Sequence, residues 1–157
     1  MNTLDLLQYS LNTSFEVLTY VTNDLTQEQV DWEPPGVANS IGSILSHLVT
    51  YLDLFIREIY IKERYEFLIT GPPQEIIMRH IQVDLHELQE RKNQIITFAE
   101  DWLSSLTPQD LEAELETAIG NINVAQMIEA YIIWHINVHC GEISLLKGCQ
   151  GAKGYPW

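Results

Sequence analysis

Basic residues are scarce in this chain. Among its 157 residues, Lys and Arg together number 8 against 22 Asp and Glu, a formal net charge of -14 at pH 7. Nucleic-acid binders need clustered cations to displace counterions from phosphates, so this balance argues against DNA and RNA as partners. It argues equally against anionic membrane surfaces. Long apolar runs are missing too. No stretch approaches the ~18 uncharged apolar residues of a membrane-crossing helix, and none is expected. The N-terminus carries Asp5 and no basic flank before an apolar segment, so a signal peptide is not expected either.

Cysteine is nearly absent. Cys140 and Cys149 are the two present. Their spacing along a helix is about 13 Å, too far for a disulfide. Both are expected to be reduced thiols, which fits a cytoplasmic protein. Several catalytic signatures are also lacking: a Gly-rich phosphate loop, G-x-S-x-G and C-x-x-C. The Glu-x-x-His pattern of di-iron bundles does not occur.

What is there reads as one globular domain over residues 1–157. Hydrophobic residues make up 46% and charged residues 19%, ordinary values for such a domain. Four long segments carry helical spacing, and neither a β-hairpin signal nor a repeat is apparent. The first runs from about Thr3, a candidate N-cap, to Asp24, with Leu4, Leu7, Leu11, Phe15, Leu18 and Val21 as its stripe. Thr26 and Gln29 form a capping-box pair, and Pro34-Pro35-Gly36 then stops any helix. The second starts at Asn39 or Ser40 and reaches about Glu63, with Ile41, Ile44, Leu45, Leu48, Leu52, Phe55 and Ile59 inward.

The third segment runs from about Gln74 to Leu106, with Ile77, Ile81, Leu85, Leu88, Ile95, Phe98 and Trp102 as its stripe. Thr107-Pro108 opens a short helical turn. Asn123 caps the last helix, Val124 to about Lys147, and Gly148 is its natural terminator. Four helices with connectors of unequal length predict an all-α four-helix bundle.

Chemistry concentrates in the last helix. His135 and His139 lie four apart and therefore on one face. Glu142 falls in the same sector, with Ile128, Tyr131 and Leu146 continuing the stripe toward the interior. Imidazoles directed into a core need partners. A metal shared with His47 of the second helix would satisfy them, and separate hydrogen bonds within the core are the plainer alternative. Glu142 is a candidate general base, a ligand, or a carboxylate that orients a histidine; meeting solvent or Lys147 is the alternative. Tyr51 and Tyr131 either place hydroxyls near this site or pack in the bundle. His80 and His86 fall on different faces and read as surface or packing residues. Cys140 reads as a small buried residue.

These residues resemble a known family. Asn39-Ser40-Ile41-Gly42-Ser43-Ile44-Leu45-Ser46-His47-Leu48 is similar to the second-helix motif of the DinB superfamily. His135-x-x-x-His139-Cys140-Gly141-Glu142-Ile143 is similar to its last-helix motif. Asp31-Trp32-Glu33-Pro34 and the closing Gly154-Tyr155-Pro156-Trp157 also resemble that group. The resemblance spans nearly the whole chain, with the third helix least distinctive. It implies an up-down-down-up bundle, a homodimer, and one divalent metal held by His47, His135 and His139. It also implies thiol-dependent chemistry with bacillithiol, mycothiol or glutathione, or the isomerisation of maleylpyruvate. Many relatives carry a basic residue directly after the last histidine; this chain has Cys140 there.

Three functions are compatible with this set. The first is an S-transferase of the bacillithiol type, joining a low-molecular-weight thiol to a small electrophile. The second is a metal-dependent hydrolase. The third is a bundle that binds a metal or ligand and catalyses nothing. Zinc, nickel and iron all suit imidazole donors.

Overall fold

The computed structural model describes residues 2–61, 81–117 and 120–155. Helix α1 spans Thr3–Thr22 and α2 spans Gln27–Asp31. Helix α3 spans Ile41–Asp53 and continues as a π-helix over Leu54–Ile61. Helix α4 spans Leu85–Ser105. A 3-10 turn, Asp110–Glu112, leads into β1 (Glu114–Thr117) and β2 (Gly120–Asn123). The last rod is built from α5 (Val124–Gln126), a π-helix (Met127–Ile133) and α6 (Trp134–Cys149).

Side-chain caps start these helices. Asn2 rather than Thr3 caps α1, trading bonds with Asp5. The Thr26–Gln29 box opens α2 as expected, and Ser40 caps α3 by accepting from the Ser43 amide. Asn123 and Gln126 form a capping box at α5. The third helix starts later than its periodicity predicts. Asp84 caps α4, and residues 81–84 are not helical. The Ile81 amide donates instead to Ser43 Oγ at 3.2 Å, and Gln27 bonds both the Val83 carbonyl and the Leu85 amide. A Ser and a Gln from other elements thus satisfy backbone that a longer helix would have satisfied internally. The expected stretch from Gln74 to His80, with Ile77, lies outside the described residues.

Four rods pack around one core. The six stripe residues of α1 are all buried, as are Ile41, Ile44, Leu45, Leu48 and Leu52 of α3. Cross-rod bonds fix the directions. Gln8 reaches the Leu103 carbonyl while Lys92 reaches Thr22, so α1 and α4 are antiparallel. Asn137 meets Ser14 and Lys147 meets the Val21 carbonyl, so α1 and α6 are parallel. Ile81 meets Ser43 and Arg91 meets Asp53, so α3 and the approach to α4 run the same way. His47 faces His139 while Phe55 faces Tyr131, so α3 and the last rod are antiparallel. The result is a four-helix bundle running up, down, down, up.

Three local expectations are corrected. β1 and β2 form an antiparallel hairpin with Leu115 opposite Ile122, which the acidic stretch did not signal. Leu115 is buried there, so one apolar side chain per strand anchors the hairpin. The chain leaves α6 through Gly151 at φ 79°, not through Gly148. Lys147 is buried and pairs with Asp24, not with Glu142.

Two buried lysines close the far end of α1. Lys147 donates to the Val21 carbonyl at 3.2 Å, and Lys92 donates to Thr22 Oγ1 at 2.9 Å. Cations there complement the negative end of the helix dipole. Periodicity alone gives no sign of them, because a lysine in an apolar stripe is read as a boundary residue.

Candidate metal centre

Each candidate ligand is placed by a helix whose register is fixed upstream. Ser40 starts α3, which brings His47 to the interior two turns on. The Asn123 cap starts the last rod, and its π-helical stretch ends directly before Trp134-His135. Because α3 and the last rod run antiparallel, their inward residues pair as rungs. His47 meets His139 with ring centroids 5.0 Å apart, Tyr51 meets His135 at 5.6 Å, and Phe55 meets Tyr131 at 5.2 Å.

His47 also lies 5.0 Å from His135, and His135 lies 4.6 Å from His139, centroid to centroid. One ring nitrogen from each of the three lies within 4.8 Å of the others. His47 Nε2 and His135 Nε2 are 3.0 Å apart. First-row ions hold imidazole nitrogens at about 2.0–2.1 Å; the 3.0 Å pair already has the spacing of two such donors, and the third nitrogen lies close enough for the three to converge on one ion.

The electrostatics suit ligation. Burial, reinforced by the charge of His139, lowers the pKa of His47 to about 4. Burial and the two neighbouring histidines lower His135 to about 3. Both rings are therefore neutral at pH 7, the state in which imidazole binds metal. His47 Nδ1 is buried with no hydrogen-bond partner, which leaves Nε2 as that ring's bonding atom. His139 Nδ1 bonds Glu142 Oε2 at 2.5 Å, leaving its Nε2 free to face inward. That bond holds the Glu142 carboxyl below the usual range, against the opposing effect of burial. The Glu142 side chain is half exposed, whereas that of His139 is 15% exposed. A carboxylate on the far nitrogen of a histidine is the usual device for fixing its tautomer. The donor set therefore fits a divalent ion.

Other candidates separate cleanly. Cys140 is fully buried and its thiol is pushed up to about 12 by burial. It is protonated at neutral pH and does not supply a nucleophile. His86 is exposed and meets Glu90 at 3.5 Å on the surface of α4; His80 lies outside the described residues. Tyr51 packs against His47 in a tilted contact with centroids 4.4 Å apart, and burial raises its pKa. Phe55, read from sequence only as a core residue, belongs to the same ladder of rings. The repeated spacing of four, His47/Tyr51/Phe55 against Tyr131/His135/His139, was the available signal.

An antiparallel helix pair inside a four-helix bundle, carrying three inward histidines and one carboxylate at their rim, is an arrangement that could hold a metal ion. The chain belongs to the DinB superfamily, whose family model matches residues 10–143. That match contains all three histidines and Glu142. No curated protein matches the chain. Among the described residues, no helix is long and apolar enough to cross a membrane.

Proposed function

We propose that this protein is a divalent-metal-dependent S-transferase, joining a low-molecular-weight thiol of the bacillithiol type to a small electrophile. The observation that carries the reading is the convergence of His47, His135 and His139, with Glu142 bonded to His139. His47, His135 and His139 would hold the ion, which is zinc, nickel or iron by donor type. Such an ion, when bound, lowers the pKa of a thiol or water placed beside it.

The remaining work belongs to the chain. His47 and His135 stay unprotonated because they are buried, so they keep their lone pairs available. Glu142 orients His139 through Nδ1 and, half exposed, stands between the site and solvent. In the transfer, the thiol proton leaves to solvent, sulfur bonds to the electrophilic carbon, and the leaving group departs with its electron pair. Cys140, buried and uncharged, stands after His139 where many relatives carry a cation, so this chain lacks that charge beside the site. A thiol cofactor with acidic groups is therefore expected to bind mainly through its sulfur.

The resemblance also implies a homodimer. The neighbouring helices α1 and α6 support it, because they leave Leu6, Tyr9, Tyr20, Trp134, Val138 and Leu145 exposed on their outer faces. Metal analysis of untagged protein, followed by melting with and without bacillithiol, tests the reading. A rise in melting temperature with the reduced thiol but not its oxidised form supports the transferase. Ester or amide cleavage without thiol supports the hydrolase. A melting temperature indifferent to metal and chelator supports the non-catalytic bundle.

A further inference from the structure

The three histidines have unlike surroundings on their two sides. Toward the C-terminal end of α6, His139 meets the half-exposed carboxylate of Glu142. Toward the other end, the neighbours are rings. Tyr51 lies 4.4 Å from His47 and 5.6 Å from His135, Phe55 lies 6.0 Å from Tyr51, and Tyr131 lies 5.2 Å from Phe55. All three rings are only partly buried. The contacts are tilted or edge-on, the arrangements that aromatic quadrupoles favour.

The backbone is unusual at the same place. Phe55 lies in the π-helix Leu54–Ile61, and Tyr131 lies in the π-helix Met127–Ile133. π-Helical turns are rare and appear frequently at functional sites. Here two of them face each other across the bundle, one turn beyond the histidines, and each carries one ring of the ladder. Ordinary α-helical packing of a core needs neither.

We propose that Tyr51, Phe55 and Tyr131 form a specificity wall, and that the site takes a small molecule with a flat apolar body, aromatic or conjugated, and a donor head suited to the ion that the three histidines would hold. This rests on the metal reading above and adds the class of electrophile. A ligand with its head at the histidines has two directions for its body. The Glu142 side is wet and anionic. The Tyr51 side offers faces and edges of three rings, where an apolar plane loses water and gains ring contacts.

The test uses the full chain loaded with cobalt(II), whose visible spectrum reports its ligands, and two chelating probes. Acetohydroxamate and benzohydroxamate share the donor head and differ by a ring. The expected result is that benzohydroxamate binds roughly tenfold more tightly than acetohydroxamate. That ratio is expected to fall toward one in Phe55→Leu and in Tyr131→Leu, with an unchanged cobalt spectrum before probe is added as the check on folding. Equal affinities in the wild-type protein would overturn the wall and leave the metal site standing. An unchanged ratio in both variants would also overturn it. Failure to take up cobalt would sink the metal reading and this inference with it.

Discussion

His47 and His135 are 88 residues apart in sequence, yet their Nε2 atoms are 3.0 Å apart. Two imidazoles at that distance share either a proton or a cation, since two bare lone pairs repel. A neutral N–H···N bond would satisfy this pair alone, whereas an ion would engage all three rings of the cluster, as the proposed function requires. Chelator-treated protein is therefore expected to regain one equivalent of divalent ion. With zinc at 100 times its dissociation constant, unfolding should cost about 2.7 kcal/mol more. Calorimetry with and without zinc measures this. In His47→Ala the zinc-dependent gain should vanish; a gain that persists there would mean that zinc binds elsewhere.

Glu142 acts at one remove, through Nδ1 of His139. Its side chain is half exposed, so Glu142→Gln should leave the fold intact. Glutamine keeps an acceptor but loses the charge that fixes the ring. Metal affinity is expected to fall about 10–100-fold, the usual cost of losing such a partner. Competition with a chromophoric chelator reads this directly. Unchanged affinity would reduce Glu142 to a surface carboxylate.

Much of this fold could be read from spacing alone. Every stripe residue of α1 is buried, and the caps at Thr26, Ser40 and Asn123 are where short polar side chains precede apolar periods. The histidines were visible as a pair at i and i+4 with His47 as a third on another helical segment, and the family motifs made the three one ligand set. Three things were hidden because they depend on partners distant in sequence. The late start of α4 is set by Ser43 and Gln27. The burial of Lys92 and Lys147 is set by the end of α1. The hairpin is set by one buried leucine, too short a signal for a period of two.

Lys92 gives a pH signature. It is fully buried, its bonds go to Thr22 and Asn23 rather than to a carboxylate, and burial lowers its pKa to about 8. The unfolded chain holds this proton up to the ordinary lysine value of 10.5. Between those values the unfolded state binds more protons, so stability contributed by this group rises with pH. Below pH 8 both states are protonated and the burial cost is fully felt. Urea midpoints at pH 7.5 and pH 10 for wild type and Lys92→Met measure the effect. The wild type should gain relative to the variant at the higher pH; parallel curves would place Lys92 in water.

Two glycines should answer an alanine substitution with opposite signs. A Cβ on Gly42 would lie 2.9 Å from Val30 Cγ1, 3.0 Å from Val83 Cγ2 and 3.2 Å from the Val30 carbonyl. Overpacking of that kind costs about 1–3 kcal/mol, more than the ~1 kcal/mol gained in helix propensity. Gly148 has nothing within 4 Å of the same position, so only the propensity gain applies. Chemical denaturation should show Gly42→Ala destabilised and Gly148→Ala stabilised. Equal shifts would mean that α2 does not press on α3 at Gly42.

The last prediction concerns self-association. A chain of net charge -14 repels its own copies, so an interface must form where charge is low. α6 carries one acidic residue, Glu142, and exposes Trp134, Val138 and Leu145; α1 exposes Leu6, Tyr9 and Tyr20, with the one carboxylate of Glu16 between the two tyrosines. Two such helices, each about 10 Å across, offer a strip about 25–30 Å long, roughly 500–600 Å², approaching the ~800 Å² per partner of a standard interface. Sedimentation equilibrium at micromolar concentration should give a dimer. Leu145→Glu, at a side chain 68% exposed and away from the histidines, should give a monomer that still takes up metal. A wild-type monomer, or a dimer indifferent to Leu145→Glu, would move the interface elsewhere, because a carboxylate buried against an apolar partner face has no cation there to meet it.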